Sequence, residues 1–321
     1  MANEIEKFNA IALADIEKIN GKTDDDIEKL NGFEFTGFVA DKGIFAFGQA
    51  EDPTGIFAVS NLVSNSGVVA SDTAGVGTGR SNLAAAEWGS GNAIFAYGYN
   101  SGAQNMSNLV NTSGVVASDV SGVGTARYGP YACEYGTDKA IFGFGTTGSV
   151  TAVTNLVNNS GVVSSDVSGV GTTRQYLAAC EYGTGTGIFA YGQDGSSAVT
   201  ISNLVSDSGV VATDVSGVGT ARWILAACSY GTDKGIFGYG LISSVTAITN
   251  LVNNSGVVAS DTSGVGTARR SLGACEYGGD KGIFGFGHGF VSMTNLVNNS
   301  GVVGADVTGV GTESSKKAAA Y

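Results

Sequence analysis

The phrase (G/A)IF(A/G)(F/Y)G occurs six times in this chain, ending at Gly48, Gly98, Gly145, Gly192, Gly240 and Gly287. NLV keeps time with it, beginning at Asn61, Asn108, Asn155, Asn203, Asn250 and Asn295, at spacings of 47, 47, 48, 47 and 45. A period near 47 residues means a repeat architecture, in which one supersecondary unit buries its apolar faces against copies of itself. That period overrides the two or three domains that length alone suggests.

One unit, from residue 225, reads LAACSYG, TDK, GIFGYG, LISS, VTAITNLV, NNSG, VVASD, TSGVGTAR. It holds four short segments of β-prone or small residues, here called a (LAACSYG), b (GIFGYG), c (VTAITNLV) and d (VVASD). All are bounded by Gly, Asn, Asp or Ser, and none keeps a helical period. NNSG is expected to be a hairpin loop whose Gly supplies positive φ, and TDKG the same. The Asp of D-x-S-G-V-G is expected to cap its own turn. With 51 glycines and 2 prolines, the chain suits many tight turns. Four antiparallel strands in six units predict an all-β fold, a six-bladed β-propeller of four-stranded antiparallel blades over residues 33–321. Segment a, rich in Ala and Cys, suits the crowded innermost strand. Both FEFTGF (33–38) and KAAAY (317–321) can complete the first unit. The C-terminal strand is favoured to close the ring, leaving 33–38 as a lead-in strand.

In order and spacing, R-x-x-LAAxxYG…GIFGYG resembles the kelch repeat, and the resemblance implies the propeller fold.

Residues 1–32 differ in character and are read as a docking arm. IEKFN, IEKIN and IEKLN recur at an 11-residue period. Thr23 with Asp26 suggests a helix N-cap, and Gly21 and Gly32 suggest C′ glycines. The expectation is a partly helical arm of two or three helical turns, the alternative being a right-handed supercoil. Helices this short are marginal alone. Ile5, Phe8, Ile16, Ile19, Ile27 and Leu30 are therefore expected to pack on the body, on other copies or on a larger assembly. The arm, with the SGVGTAR phrase, resembles leader segments of bacteriophage structural proteins, particularly tail-associated ones. That resemblance implies a virion component, with the arm as dock and the repeat body exposed.

Net charge is −12 and the pI about 4.4, which argues against nucleic-acid binding. No apolar run reaches the ~20 residues that span a bilayer. MANEIEKFNA has no basic or apolar leader, so no signal peptide is visible and synthesis in a host cytoplasm is expected. Cys133, Cys180, Cys228 and Cys275 hold the same place in successive units and read as reduced core residues.

The b–c loops vary between units (QAEDPTG, YNSGAQN, TTGS, QDGSSA, LISS, HGF), as do the residues just before segment a (SN, YGP, QY, WI, RS). In a four-stranded blade both sets fall on one face. Divergence confined to one face of a common scaffold suggests a partner there, although drift of untouched loops gives the same pattern. That face offers Tyr99, Asn100, Gln104, Tyr128, Tyr176, Gln193, Asp194, Trp223, Arg270, His288 and Phe290. Aromatics with amides and acids suit sugar stacking and hydrogen bonding.

Repeated residues invite blander readings. Arg80, Arg127, Arg174, Arg222 and Arg269 recur, with Glu313 standing in the sixth unit. Glu87, Glu134, Glu181 and Glu276 recur beside an aromatic. Both series read as packing and ion pairs between blades rather than equivalent sugar sites. The Asp series lacks the further carboxylates of a calcium loop. His288 is the single histidine, no zinc ligand set exists, and GVGT lacks the lysine of a phosphate loop. The reading is non-enzymatic, with no cofactor and no metal: a tail-associated adhesin acting on a host-surface glycan or protein. The alternatives are a purely structural decoration or tail-assembly protein, and an intracellular kelch-like scaffold.

Overall fold

A computed structural model describes residues 42–50, 55–89, 91–289 and 291–321, and the backbone of six two-residue strands between positions 7 and 34. The chain divides into two compact units, Met1–Asp41 and Lys42–Tyr321. Every regular element among the described residues is a strand.

In the first unit, β1 (Lys7–Phe8) pairs with β2 (Ile11–Ala12), β3 (Lys18–Ile19) with β4 (Lys22–Thr23), and β5 (Lys29–Leu30) with β6 (Phe33–Glu34), all antiparallel. The expected helical turns are thus replaced by three hairpins. The 11-residue period is the period of a hairpin. Each register leaves two residues between its strands, Asn-Ala once and Asn-Gly twice. Asn-Gly favours a two-residue hairpin because both residues tolerate positive φ. Phe33 and Glu34, expected in a lead-in strand of the repeat body, pair instead with Leu30 and Lys29. Ile5, Ile16 and Ile27 lie outside the described residues, as do the side chains of Phe8, Ile19 and Leu30.

The second unit holds six three-stranded antiparallel sheets. The first joins β7 (Gly43–Gln49) and β8 (Ile56–Val63) to β24 (Ser315–Ala320), in the order β24-β7-β8. Next come β9 (Ala84–Trp88), β10 (Asn92–Ala96) and β11 (Ser107–Val110), then β12 (Tyr131–Tyr135), β13 (Lys139–Gly143) and β14 (Thr154–Val157). The fourth sheet is β15 (Ala178–Tyr182), β16 (Thr186–Ala190) and β17 (Ser202–Val205). The fifth is β18 (Ala226–Tyr230), β19 (Lys234–Gly238) and β20 (Thr249–Val252), and the sixth β21 (Gly273–Tyr277), β22 (Lys281–Gly285) and β23 (Thr294–Val297). Segments a, b and c are these strands. First strands neighbour one another in the order β9, β12, β15, β18, β21, β24, and β24 also lies beside β9.

Segment d does not form the expected fourth strand. It touches c through isolated bridges, Val63↔Val69 and Ser60↔Thr73 in the first unit. Between those bridges d carries one residue more than c, which is a bulge. The Asn61 side chain enters the gap, donating to the Ala70 carbonyl (3.0 Å) and to Asp72 Oδ1 (2.8 Å). Asn108, Asn155, Asn203, Asn250 and Asn295 repeat the arrangement. All six asparagines are fully buried. The loops between c and d follow expectation, Gly161 at φ 73° with the Asn158 side chain accepting from Ser160 and Val162 N–H. Those between a and b do not: positive φ falls on Gly136 and Thr137, ahead of Asp138.

The core is built at junctions between sheets. The aromatic before each b-segment glycine meets the Phe of the next b strand, as Phe47–Phe95, Tyr97–Phe142, Phe144–Phe189, Tyr191–Phe237 and Tyr239–Phe284, at centroid separations of 5.2–5.4 Å. Phe286 of the sixth sheet meets Phe45 of the first at 4.9 Å. These tilted and edge contacts suit the ring quadrupoles. The thiols fit into space left by glycines. A Cβ on Gly235 would lie 2.5 Å from Cys180 Sγ, and the pairs Gly187–Cys133, Gly282–Cys228 and Gly43–Cys275 match it. All four cysteines are buried and free.

Charged groups clasp the same junctions. The Asp series does not cap its own turn; each carboxylate accepts from the Thr of the preceding unit. Thr78 N–H and hydroxyl donate to Asp119 (3.0 and 2.6 Å), and Thr125, Thr172, Thr220 and Thr267 serve Asp166, Asp214, Asp261 and Asp306. Thr312 serves Asp72. The glycine before each Thr is required, because a Cβ on Gly77 would collide with Asp119 and Asn108. Arg80, Arg127, Arg174, Arg222 and Arg269 are buried, each guanidinium over an aromatic ring of the preceding sheet at 3.9–4.5 Å. At the sixth junction neither Glu313 nor any arginine fills this role. Ser314 takes over the backbone contact, its carbonyl accepting from Gly287 N–H as Arg80 accepts from Gly48. Lys316 brings the cation, over Phe286 at 4.4 Å and bonded to Asn61.

Candidate binding face

The two variable sets lie side by side. Four b–c loops are each bridged to the segment that precedes the first strand of their own sheet: Tyr99↔Ser81, Thr146↔Tyr128, Gln193↔Gln175 and Leu241↔Trp223. His288 N–H donates to the Arg270 carbonyl at 2.7 Å, continuing the series. Beneath them the chain crosses from sheet to sheet through a second set of bonds. Gly129 N–H donates to Asn82 O, Tyr176 to Gly129, Ile224 to Tyr176 and Ser271 to Ile224. Asn82, Tyr176, Ile224 and Ser271 hold φ of 51–58°, a region costly for a β-branched residue such as Ile224. The loops are therefore mounted on a constrained base.

Four of the singled-out aromatics come together on this base. Tyr99 meets Tyr128 (5.3 Å, edge-on), Tyr128 meets Tyr176 (6.5 Å) and Tyr176 meets Trp223 (5.8 Å). Tyr99 is 40% exposed and the others are half-buried. The arc spans four consecutive units. Several polar candidates serve their own loops instead. Asn100 donates to the Gly79 carbonyl, and Gln104 to the carbonyls of Asn100 and Gly102. Asp194 accepts from Ser197 and Ser196 N–H, which hold its carboxyl below the ordinary range. Gln193 pairs with Gln175 at 3.2 Å. Phe290 lies outside the described residues.

No protein-family model and no curated protein sequence matches this chain.

Two cavities open among the first strands and the segments that lead into them. A central one of about 100 Å³ lies between the first strands of all six sheets. Glu87, Glu134, Glu181 and Glu276 line it toward the a–b turns. Burial, then the neighbouring Glu87 and Glu181, raises the Glu134 pKa well above the carboxylate range. No group of metal-ligating side chains occurs among the described residues. Trp88, Tyr135, Tyr182, Tyr230 and Tyr277, which follow the Glu positions, pack under hairpin glycines of the next unit, as Trp88 under Gly161 and Tyr277 under Gly67. The second cavity, of about 20 Å³, opens beside Tyr176 and Ile224.

Tyr131 and Lys317 line both cavities. Lys317 Nζ donates to Tyr131 Oη, and Tyr131 donates to the Leu225 carbonyl at 2.8 Å, tying the first, third and fifth units together. Burial lowers the Lys317 pKa to about 7. Sequence reasoning passed over both residues, yet a signal was present. They occupy the second position of segment a, which is Ala84, Ala178, Ala226 or Gly273 in the other units.

Proposed function

We propose that the repeat body is a six-bladed β-propeller of three-stranded blades, with segment d bridged along the c strand, in a non-enzymatic virion protein. The cyclic neighbourhood of the first strands and the clasp from Thr312 to Asp72 support this reading. The variable-loop face acts as a tail-associated adhesin, and residues 1–32 dock on other virion proteins. Many copies of a weak site give avidity wherever geometry permits simultaneous contact. The observation that carries the adhesin reading is the arc Tyr99–Tyr128–Tyr176–Trp223: four large rings gathered from separate loops onto a face where the units otherwise differ. Aromatic rings with polar edges suit sugar faces, and the net charge of −12 disfavours a nucleic acid that would also stack.

The test is attachment of the purified protein to host cells, comparing Trp223→Ala, Tyr128→Ala and Tyr176→Ala with the parent. Each replacement is expected to weaken attachment about tenfold, since base–aromatic stacking of comparable geometry contributes ~1–3 kcal/mol. Undiminished attachment by all three, with folding intact, would overturn the reading.

A further inference from the structure

The second cavity has an unusual floor for so acidic a protein. Among the described residues, Lys139, Lys234, Lys281 and Lys316 each pair with an aspartate. Lys317 has no carboxylate partner among the described residues, although the chain carries 28 acidic side chains. Its one hydrogen-bond acceptor there is Tyr131 Oη, whose own proton is directed to Leu225. An ammonium group has three donors, so two remain for a ligand. The opening is walled by Asn82, Tyr176, Ile224 and Ser271, and Tyr176 belongs to the aromatic arc. A volume of about 20 Å³ has room for little more than one water-sized group. A sugar ring cannot enter; one oxygen of a carboxylate projecting from it can.

We propose that Lys317 makes this face selective for acidic glycans, receiving the carboxylate of a uronic acid while the ring rests against Tyr176. The proposal rests on the reading of the loop face as a glycan-binding surface. It adds that charge, not only stacking, selects the ligand. The carboxylate gives Lys317 the counter-ion the fold withholds, in a site shielded enough for a charge-assisted hydrogen bond to matter.

The experiment titrates the full chain with methyl glucuronide and, separately, methyl glucoside. It follows Trp223 fluorescence and the backbone amide signals of Tyr131, Tyr176 and Ile224, in the parent, Lys317→Met and Trp223→Ala. The parent is expected to bind the glucuronide about tenfold more tightly than the glucoside. Lys317→Met should remove that preference while leaving the weak glucoside affinity in place. Equal affinities in the parent, or a preference that survives Lys317→Met, overturns the proposal. The parent comparison decides this even if the variant does not fold. Equal binding of both sugars that is lost in Trp223→Ala keeps the loop face and removes the acidic selectivity. Absence of any response to either sugar removes both.

Discussion

Asp306 accepts the hydroxyl and N–H of Thr267 and an amide proton of Asn295, with the Arg269 guanidinium 4.0 Å away. Partial burial opposes its ionisation, but these donors outweigh burial and hold its pKa below the ordinary value. Asp72, Asp119, Asp166, Asp214 and Asp261 are depressed by the same balance. A folded pKa below the unfolded one means that the unfolded chain binds more protons in that window. Stability is then present above the ordinary aspartate range and lost as pH falls through the folded values. Glu134 has the opposite sign. Its raised pKa contributes stability that is complete below the ordinary glutamate range and lost as pH climbs. Glu134→Gln, which mimics the protonated carboxyl, is expected to raise Tm at pH 8 and leave it nearly unchanged at pH 4. Thermal unfolding at the two values checks this, and an equal shift at both would refute it. Little of this was legible in the sequence. An aspartate before a Gly-rich turn looks like a local cap, and its true donor, as with Thr78 and Asp119, lies 41 residues away.

At the scale of strands, the repeat varies in matched pairs. Where segment a supplies Cys133, Cys180, Cys228 or Cys275, the facing residue that opens the next b segment is Gly187, Gly235, Gly282 or Gly43. Where a supplies Ala86 or Ala319 at the same register position, the next b segment opens with Ala140 or Ala93. Thiol against glycine and methyl against methyl fill similar volumes, as close packing demands. Gly235→Ala should therefore destabilise by about 1–3 kcal/mol through overpacking. Cys180→Ala in the same chain should recover most of that loss. Denaturant unfolding of the two singles and the double measures the coupling, and strict additivity would disprove the pairing. Strand positions b and c were plain from Ile-Phe and Asn-Leu-Val. Segment d was misjudged because the side chain of an asparagine, not backbone, fills part of its ladder. The arm was misjudged because Asn-Gly reads equally as a helix stop and as a hairpin tip.

Across the second unit as a whole, β24 belongs to the sheet of β7 and β8, with Ala318 opposite Phe45 and Ala319 opposite Ile44. KAAAY announced this pairing by its likeness to LAACE. Lys316 did not announce itself, because it stands two places beyond the position that the arginines hold. Removing residues 315–321 takes away the edge of the first sheet and the cation over Phe286 together. The truncated chain is expected to lose its single cooperative unfolding transition and bind a hydrophobic dye. A parent-like calorimetric transition would contradict this.

The bond from Thr312 to Asp72 joins residues 240 apart in sequence. Translation adds roughly 5–20 residues per second, so the β7 and β8 segments wait many seconds, unpartnered on one side, while the rest of the chain is made. Contacts of such long range also slow folding. The nascent protein thus passes through a stage in which a sticky edge is bare, until β24, made long after β7 and β8, covers it.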